Sequence, residues 1–355
     1  MEIKTPGRIC LFGEHQDYLG LPVIAMAVSL YSKIKGSRNQ EAGNSIVIHK
    51  PDLKESESFP LSDLSYLKPR DYFKSGLKVC INEGLSFSTG FECEISSQIP
   101  IQAGCSSSSS IMVGWIHFLS QIADNPINWA SDKIAELAYR AEVLEFDEPG
   151  GMMDQYSTAS GDLIYLESQP EITITTLKTM PGAFVLGDSR VKKDTHENLR
   201  RCKTSRIEIV QRMKEVNPEF SLQTIQYMEI NDYRKYLNSI EMELLLGTVR
   251  NRDILIDALG EFKSSNLDFE GIGELLTEEH SILRDILHVS TPKIDHLLDI
   301  ARDTGAAGGK INGSGGGGCM FVYAPDNPEV VAAAIENAGG KAYIVHTSEG
   351  TKVST

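Results

Sequence analysis

Five consecutive serines, Ser106, Ser107, Ser108, Ser109 and Ser110, follow Gly104-Cys105 and run into apolar residues at helical spacing (Ile111, Met112, Trp115, Phe118, Leu119). One N-cap needs one serine, not five. Serines packed into the first turn of a helix suit an anion, because free backbone N–H groups and the helix dipole both favour phosphate there. A serine hydroxyl is also a ligand for Mg²⁺. A second segment pairs Glu142 with Gly150-Gly151-Met152-Met153-Asp154-Gln155. Glu142 falls at the edge of the stripe made by Ile134, Leu137, Ala138 and Ala141, which predicts a half-buried carboxylate with a partner. Asp154 follows a Gly-Gly turn, a place where loops hold a carboxylate in a cleft as general base toward a hydroxyl. A third segment, Gly13-Glu14-His15-Gln16-Asp17, ends the strand-like run Arg8-Ile9-Cys10-Leu11-Phe12. Glu, His and Asp within four residues supply the donors and acceptors that a polyol's hydroxyls need. A metal site is the competing reading, and no second ligand cluster of matching spacing exists to complete it. Arg8, inside an apolar strand, calls for an anionic partner.

Eight of the 30 glycines fall within 305–318. Residues without Cβ let the backbone approach a ligand closely and point successive amides at it. Gly313-x-Gly315-x-x-Gly318 formally matches the dinucleotide fingerprint, but a strand (Met320 through Tyr323) follows where that motif needs a helix. No P-loop, HExxH or nucleophile-elbow pattern occurs. His280, His288 and His296, eight residues apart, read as ordinary helix or helix-end residues.

The elements that position these segments follow from apolar period and Gly/Pro/Ser punctuation. Strands are expected at 8–12, 23–28, 45–48 and 91–95. Helices are expected from 111 and 134 onward, the second with Ser131 or Asp132 as N-cap, and a hairpin over 163–166 and 172–177. After Met180-Pro181-Gly182 a strand at 183–186 leads into helices at 195–215, 221–246, 249–262 and 268–287. A strand at 320–323, a helix at 328–338 and a strand at 342–346 close the chain. The expected class is α+β, with domains 1–181 and 182–355.

Length (355 residues) suits one large or two medium domains, and 41% apolar with 23% charged residues excludes a disordered chain. A net charge of −15 disfavours nucleic acid as partner. No apolar run approaches the roughly 18 residues of a membrane span, Met1-Glu2-Ile3-Lys4-Thr5-Pro6 does not read as the charged-then-apolar pattern of a secretion signal, and six scattered cysteines read as reduced thiols. A cytoplasmic protein without membrane partners is expected, as a monomer or weak homo-oligomer.

The serine segment, Met153-Asp154-Gln155 and the glycine-rich 305–318 segment, in this order with 7–20, resemble the GHMP kinases. Asp17-Tyr18 and Met153-Asp154-Gln155 look like the galactokinase branch, as does 279–285 followed by Val289-Ser290-Thr291-Pro292. Lys310-Ile311-Asn312-Gly313-Ser314 looks more like the mevalonate branch. The resemblance implies a two-domain fold, with an N-terminal domain like that of a small-subunit ribosomal protein and a ferredoxin-like C-terminal domain closing the cleft. It implies ATP and Mg²⁺ as cofactors and a small sugar as partner, galactose being phosphorylated at its anomeric hydroxyl. In that scheme Asp154 is the catalytic base and Arg8 its cationic neighbour. Glu14, His15, Asp17 and Gly151 bind the sugar. Gly104, Cys105, Ser106, Ser107, Ser108, Ser109, Gly315 and Gly316 hold the nucleotide's phosphates, and Ser108 and Glu142 hold Mg²⁺. A sister kinase of galacturonate or arabinose is the rival within the family. Glu14 speaks against a uronic acid through like-charge repulsion. A non-catalytic sugar and ATP sensor is the alternative outside enzymes, and it would be expected to lack some of Asp154, Arg8, Glu142 and Ser108.

Overall fold

The computed structural model describes residues 1–38, 43–100, 104–192 and 195–354. Ile101, Gln102 and Ala103, which lead into the serine segment, lie outside the described residues. The first half contains β1 (Glu2–Phe12), β2 (Val23–Arg38), β3 (Ser45–Lys50), β4 (Glu55–Pro60), α1 (Tyr72–Asn82), β5 (Phe91–Ser97), α2 (Ser107–Ile122), α3 (Ser131–Glu142), α4 (Met153–Ser160), β6 (Leu163–Glu167) and β7 (Thr173–Thr176). The second half contains β8 (Phe184–Asp188), α5 (Thr195–Val216), α6 (Ser239–Lys263), α7 (Phe269–Asp285), α8 (Pro292–Asp303), β9 (Gly308–Ile311), β10 (Cys319–Tyr323), α9 (Pro328–Asn337), β11 (Lys341–Val345) and β12 (Lys352–Ser354).

The first sheet runs β12-β1-β2-β5-β3-β4, with β6 pairing β2 and β7; the second runs β11-β8-β10-β9. Every pairing is antiparallel except β3 with β5. β1 shows why the apolar run at 8–12 is continuous. Successive side chains point to opposite faces, and both faces are covered: Ile3 and Cys10 join the core under α2 and α3. Ile9 and Leu11 join a second core with Phe184, Leu186, Phe321 and Tyr323 of the second sheet. One strand thus fixes the acidic loop after Phe12 against both halves of the molecule.

Some expectations change. Helices at 221–246 and 249–262 are replaced by a 3-10 stretch, Tyr227–Tyr236, and the single helix α6. Asn238 and Glu241 form a reciprocal capping box that starts α6. Gly247 does not break it: a Cβ there would lie 2.9 Å from Ile286, so glycine serves close approach to the chain just beyond α7. The start of α3 has Ala130 at the cap and no side-chain capping bond, rather than Ser131 or Asp132. Asp154, expected on a loop, sits in the first turn of α4. α1, α4, α8 and β4 were not among the expected elements, although α8 carries Ile294, Leu297, Leu298 and Ala301 at helical spacing and Thr291-Pro292 is a helix start, with Thr291 accepting from the Ile294 amide. β12 returns to pair with β1. We propose 181/182 as the domain division, with this one strand handed back to the first sheet.

α2 carries the serine segment, and Trp115 anchors it. Its indole is fully buried, stacks on Phe118, and donates to the Phe73 carbonyl at 3.0 Å. Trp115→Ala is expected to cost about 3–5 kcal/mol, read as a lowered denaturation midpoint with an unchanged m-value; a loss under about 1 kcal/mol would contradict this anchoring role.

Candidate active site

A cleft of about 650 Å³ opens where β1, the loop after it, α2 and α4 meet the glycine-rich segment before β10. Arg8, buried in the middle of β1, forks onto Asp154: Nε donates to Oδ1 at 2.8 Å and Nη2 lies 2.6 Å from the same oxygen. Its Nη1 donates to the Gly104 carbonyl at 2.5 Å. Burial works against the guanidinium, but Asp154, Glu14 and Cys10 hold its pKa above the usual arginine value. The anionic partner that the strand sequence called for is therefore Asp154, with the Gly104 carbonyl as the second contact.

The serine loop meets α2 at Ser106, which adopts a left-handed φ of 59°. Ser106, Ser107, Ser108 and Ser109 all line the cleft at the helix N-terminus. Ser108 Oγ donates to Glu142 Oε1 at 2.7 Å, and Gln155 Nε2 donates to Oε2 at 2.7 Å. Glu142 is buried rather than half-exposed, and burial raises its pKa against the pull of Ser108 and Gln155. Among the described residues no group of three or more His, Cys, Asp or Glu side chains could hold a metal ion by itself. A hydroxyl and a carboxylate 2.7 Å apart do fit Mg²⁺ that arrives with a nucleotide, since this ion takes one or two protein oxygens and completes its shell with phosphates and water.

The loop after β1 forms the other end. His15 takes a left-handed φ of 62°, its Nδ1 lies 3.0 Å from the Tyr18 hydroxyl, and burial lowers its pKa to about 3. Asp17 accepts from the Tyr18 amide at 2.9 Å and the Met153 amide at 3.3 Å. Burial, and then the charge of Asp154, push the Asp17 carboxyl up to about 6. Gly151 is required beside it: a Cβ there would fall 1.8 Å from Asp17.

Glu14 does more than line the cleft. Its Oε2 accepts from Lys310 Nζ at 3.3 Å and from the Gly313 amide at 2.8 Å. Lys310 also lies 3.7 Å from Glu279, whose Oε1 takes the Gly13 and Glu14 amides at 3.1 and 2.9 Å. All three charges are buried. Burial resists ionising Glu14, yet Lys310 and Arg8 bring its pKa below the usual carboxylate value; Glu279 is pushed up to about 7, chiefly by burial. Asn312 completes the seam, accepting from the Cys10 amide at 3.0 Å and donating to the Gly104 carbonyl at 2.9 Å.

The expected residues Arg8, Glu14, His15, Asp17, Gly104, Gly151, Asp154, Glu142 and the four serines are gathered in one cleft. Cys105, Gly315 and Gly316 are not among its lining residues. The Cys105 carbonyl is taken by the Arg8 amide, and the Gly316 amide donates to the Val289 carbonyl. The glycine-rich segment meets the cleft through Gly313 and Ser314 instead. Gln155, Asn312, Glu279 and Lys310 were not singled out for roles; Lys310 lies inside a glycine run, where its complete burial leaves no trace in pattern.

Comparison with known proteins gives a consistent picture. The model for the GHMP kinases N terminal domain matches residues 71–162, that for GHMP kinases C terminal matches 256–342, and the galactokinase galactose-binding signature matches 3–34. The chain is 30% identical to a mevalonate kinase of Pyrococcus abyssi, over 99% of this chain and 96% of that protein. It is 26% identical to a galactokinase of Pasteurella multocida, over 92% and 85%. In structure it is similar to Lactococcus lactis galactokinase complexed with galactose (TM-score 0.87, 21% identity, 99% and 94% covered). It is also similar to Methanococcus jannaschii mevalonate kinase (TM-score 0.73, 23% identity, 98% of both chains covered).

Lys310→Met leaves Glu14 and Glu279 buried without their cation, and is expected to cost about 3–5 kcal/mol in denaturant unfolding. Adding Glu279→Gln should restore part of that loss, since the two sites are coupled. Strict additivity of the two changes would mean that the charges do not act as one cluster.

Proposed function

The chain belongs to the GHMP kinases, and we propose that it transfers the γ-phosphoryl group of ATP to the anomeric hydroxyl of a neutral monosaccharide, with galactose the first candidate. One observation carries the choice of a neutral acceptor. Glu14, Asp17 and Asp154 line the cleft, and the cations beside them are already committed, Arg8 to Asp154 and Lys310 to Glu14 and Glu279. A hydroxyl-rich ring finds hydrogen-bond acceptors there. A carboxylate-bearing acceptor meets like charge in a buried site. The galactose-binding signature over 3–34 supports the same reading.

The residues divide the work by position. The N-terminus of α2 and its serines suit the polyphosphate, leaving the half-apolar end with Leu53, Tyr72, Ile111 and Val143 for the base. Ser108 and Glu142 would hold Mg²⁺, which when bound neutralises charge on the phosphates. Asp154 orients the acceptor hydroxyl and takes its proton. Arg8 anchors Asp154 by bringing two donors to its Oδ1, so that little is left to covalent chemistry. That Asp154, Arg8, Glu142 and Ser108 are all present and mutually arranged supports an active kinase over a sensor.

Mevalonate is the second reading, favoured by the 30% identity to a mevalonate kinase. An ADP-release assay with Mg²⁺-ATP against galactose, glucose, galacturonate, arabinose and mevalonate separates the two. Turnover on a neutral sugar is expected; turnover on mevalonate alone would overturn the acceptor assignment while keeping the fold and phosphate chemistry.

Asp154→Asn should lower kcat by about 10²–10⁴-fold while the KM values for ATP and sugar stay near wild type; near-normal turnover would remove Asp154 from the mechanism. The Asp17 carboxyl titrates near 6, so acceptor kcat/KM should fall as pH drops through that value and Asp17 gains a proton. Asp17→Asn should lower kcat/KM and remove this acid limb; a limb unchanged in the variant would assign it to another group.

A further inference from the structure

Arg206 stands apart from the groups used so far. It projects from α5, is buried, and has no carboxylate partner among the described residues. Its Nη2 donates to the His15 carbonyl at 2.7 Å and to the Tyr18 hydroxyl, and its Nε donates to the Cys202 carbonyl at 2.9 Å. A guanidinium has donors and no acceptor. The Tyr18 oxygen therefore spends a lone pair on Arg206 and keeps its own proton to give away. Among the described residues the acceptor within its reach is His15 Nδ1, at 3.0 Å. The buried His15 ring is neutral, so one of its nitrogens carries the proton and the other accepts. If Nδ1 accepts from Tyr18, the proton must be on Nε2. That nitrogen is buried and has no partner of hydrogen-bonding geometry, although the Ser314 backbone interacts with the ring, and the side chain lines the cleft.

We infer that Arg206 and Tyr18 form a proton-ordering relay that locks His15 in its Nε2–H tautomer, making it a fixed hydrogen-bond donor to an oxygen of the acceptor. The assignment deepens the kinase reading and rests on it for the identity of the ligand, though not for the tautomer. It also explains the mix of groups at this end of the cleft. Glu14, Asp17 and Asp154 accept, and His15 donates, so the site is complementary to a ring that offers both hydroxyl protons and a lone pair. Arg206 and Tyr18 act here as positioning residues, since their polar atoms work through His15. The relay crosses between the halves of the chain, from α5 to the loop after β1, so it registers the acceptor site against the second half.

Two-bond proton–nitrogen NMR spectra of the full chain with nitrogen-labelled histidine, assigned by loss of one signal in His15→Gln, read the tautomer directly. The expected wild-type spectrum has a protonated Nε2 and an unprotonated Nδ1. Tyr18→Phe removes the hydroxyl without the ring; it should mix the tautomers and raise acceptor KM about five- to tenfold, the loss of one neutral hydrogen bond, with ATP KM unmoved. Arg206→Lys, which keeps a donor cation, should hold the tautomer better than Arg206→Gln. A protonated Nδ1 in wild type would overturn the relay outright. So would a Tyr18→Phe protein that keeps both the tautomer and the acceptor KM. An Nε2–H spectrum in a chain that phosphorylates none of the acceptors would instead leave the relay standing and discard the kinase reading.

Discussion

An arginine in the middle of a strand covered on both faces has to find negative charge, and in this protein that requirement organises the site. Arg8 cannot reach solvent, so α4 must deliver Asp154 to it, and the serine loop must deliver the Gly104 carbonyl. Those contacts fix the carboxylate and the serine loop relative to one another. Gly151, ahead of α4, makes room for the neighbouring acid of the site, since a Cβ there would lie 1.8 Å from the Asp17 carboxylate. Pre-organisation of this kind is what phosphoryl transfer asks of a protein, since positioning and charge do most of the catalytic work.

The second constraint lies in the seam between the halves. Glu14, Glu279 and Lys310 are buried together, and each charge is tolerated because the others and three backbone amides surround it. Such clusters add less net stability than their count suggests, but removing one member is costly. Their stronger effect is on register. Lys310 and Gly313 precede β10, Glu279 belongs to α7, and Glu14 belongs to the loop after β1. Asn312 adds a bridge from the same segment to Cys10 and Gly104. The glycine-rich segment therefore works by letting backbone approach backbone: a Cβ on Gly313 would lie 2.8 Å from the Gly104 carbonyl.

Much of this was legible in the sequence, and for identifiable reasons. The serines before an amphipathic helix suggested a helix start able to take an anion, and four of them do line the cleft at the N-terminus of α2; Arg8 within an apolar strand announced a buried ion pair. Strand and helix periods gave the α+β class and most elements of both halves. What stayed hidden was long-range. Lys310 carries no local pattern that reveals burial, and Glu279, although it falls on the stripe of Ile272, Leu276 and Leu283, gives no local sign of its partners, which lie tens to hundreds of residues away. Asp154 looked like a loop residue because the eight-residue helix α4 is too short to show an amphipathic period. Gly315 and Gly316 looked like phosphate contacts from the family resemblance, whereas their neighbours show that they make room for Val289 and Asn198. Arg206 falls on the buried stripe of Cys202, Ile209 and Met213, but its partners, His15 and Tyr18, lie almost two hundred residues earlier.

In the proposed reaction a carboxylate-lined pocket presents the anomeric hydroxyl of a neutral sugar to ATP. Phosphorus NMR of the product formed from galactose and Mg²⁺-ATP reads the site of phosphorylation. A new phosphomonoester resonance split by the anomeric proton is expected, with no product from mevalonate. A phosphate coupled to any other carbon's protons, or product formed from mevalonate and not from galactose, would contradict it.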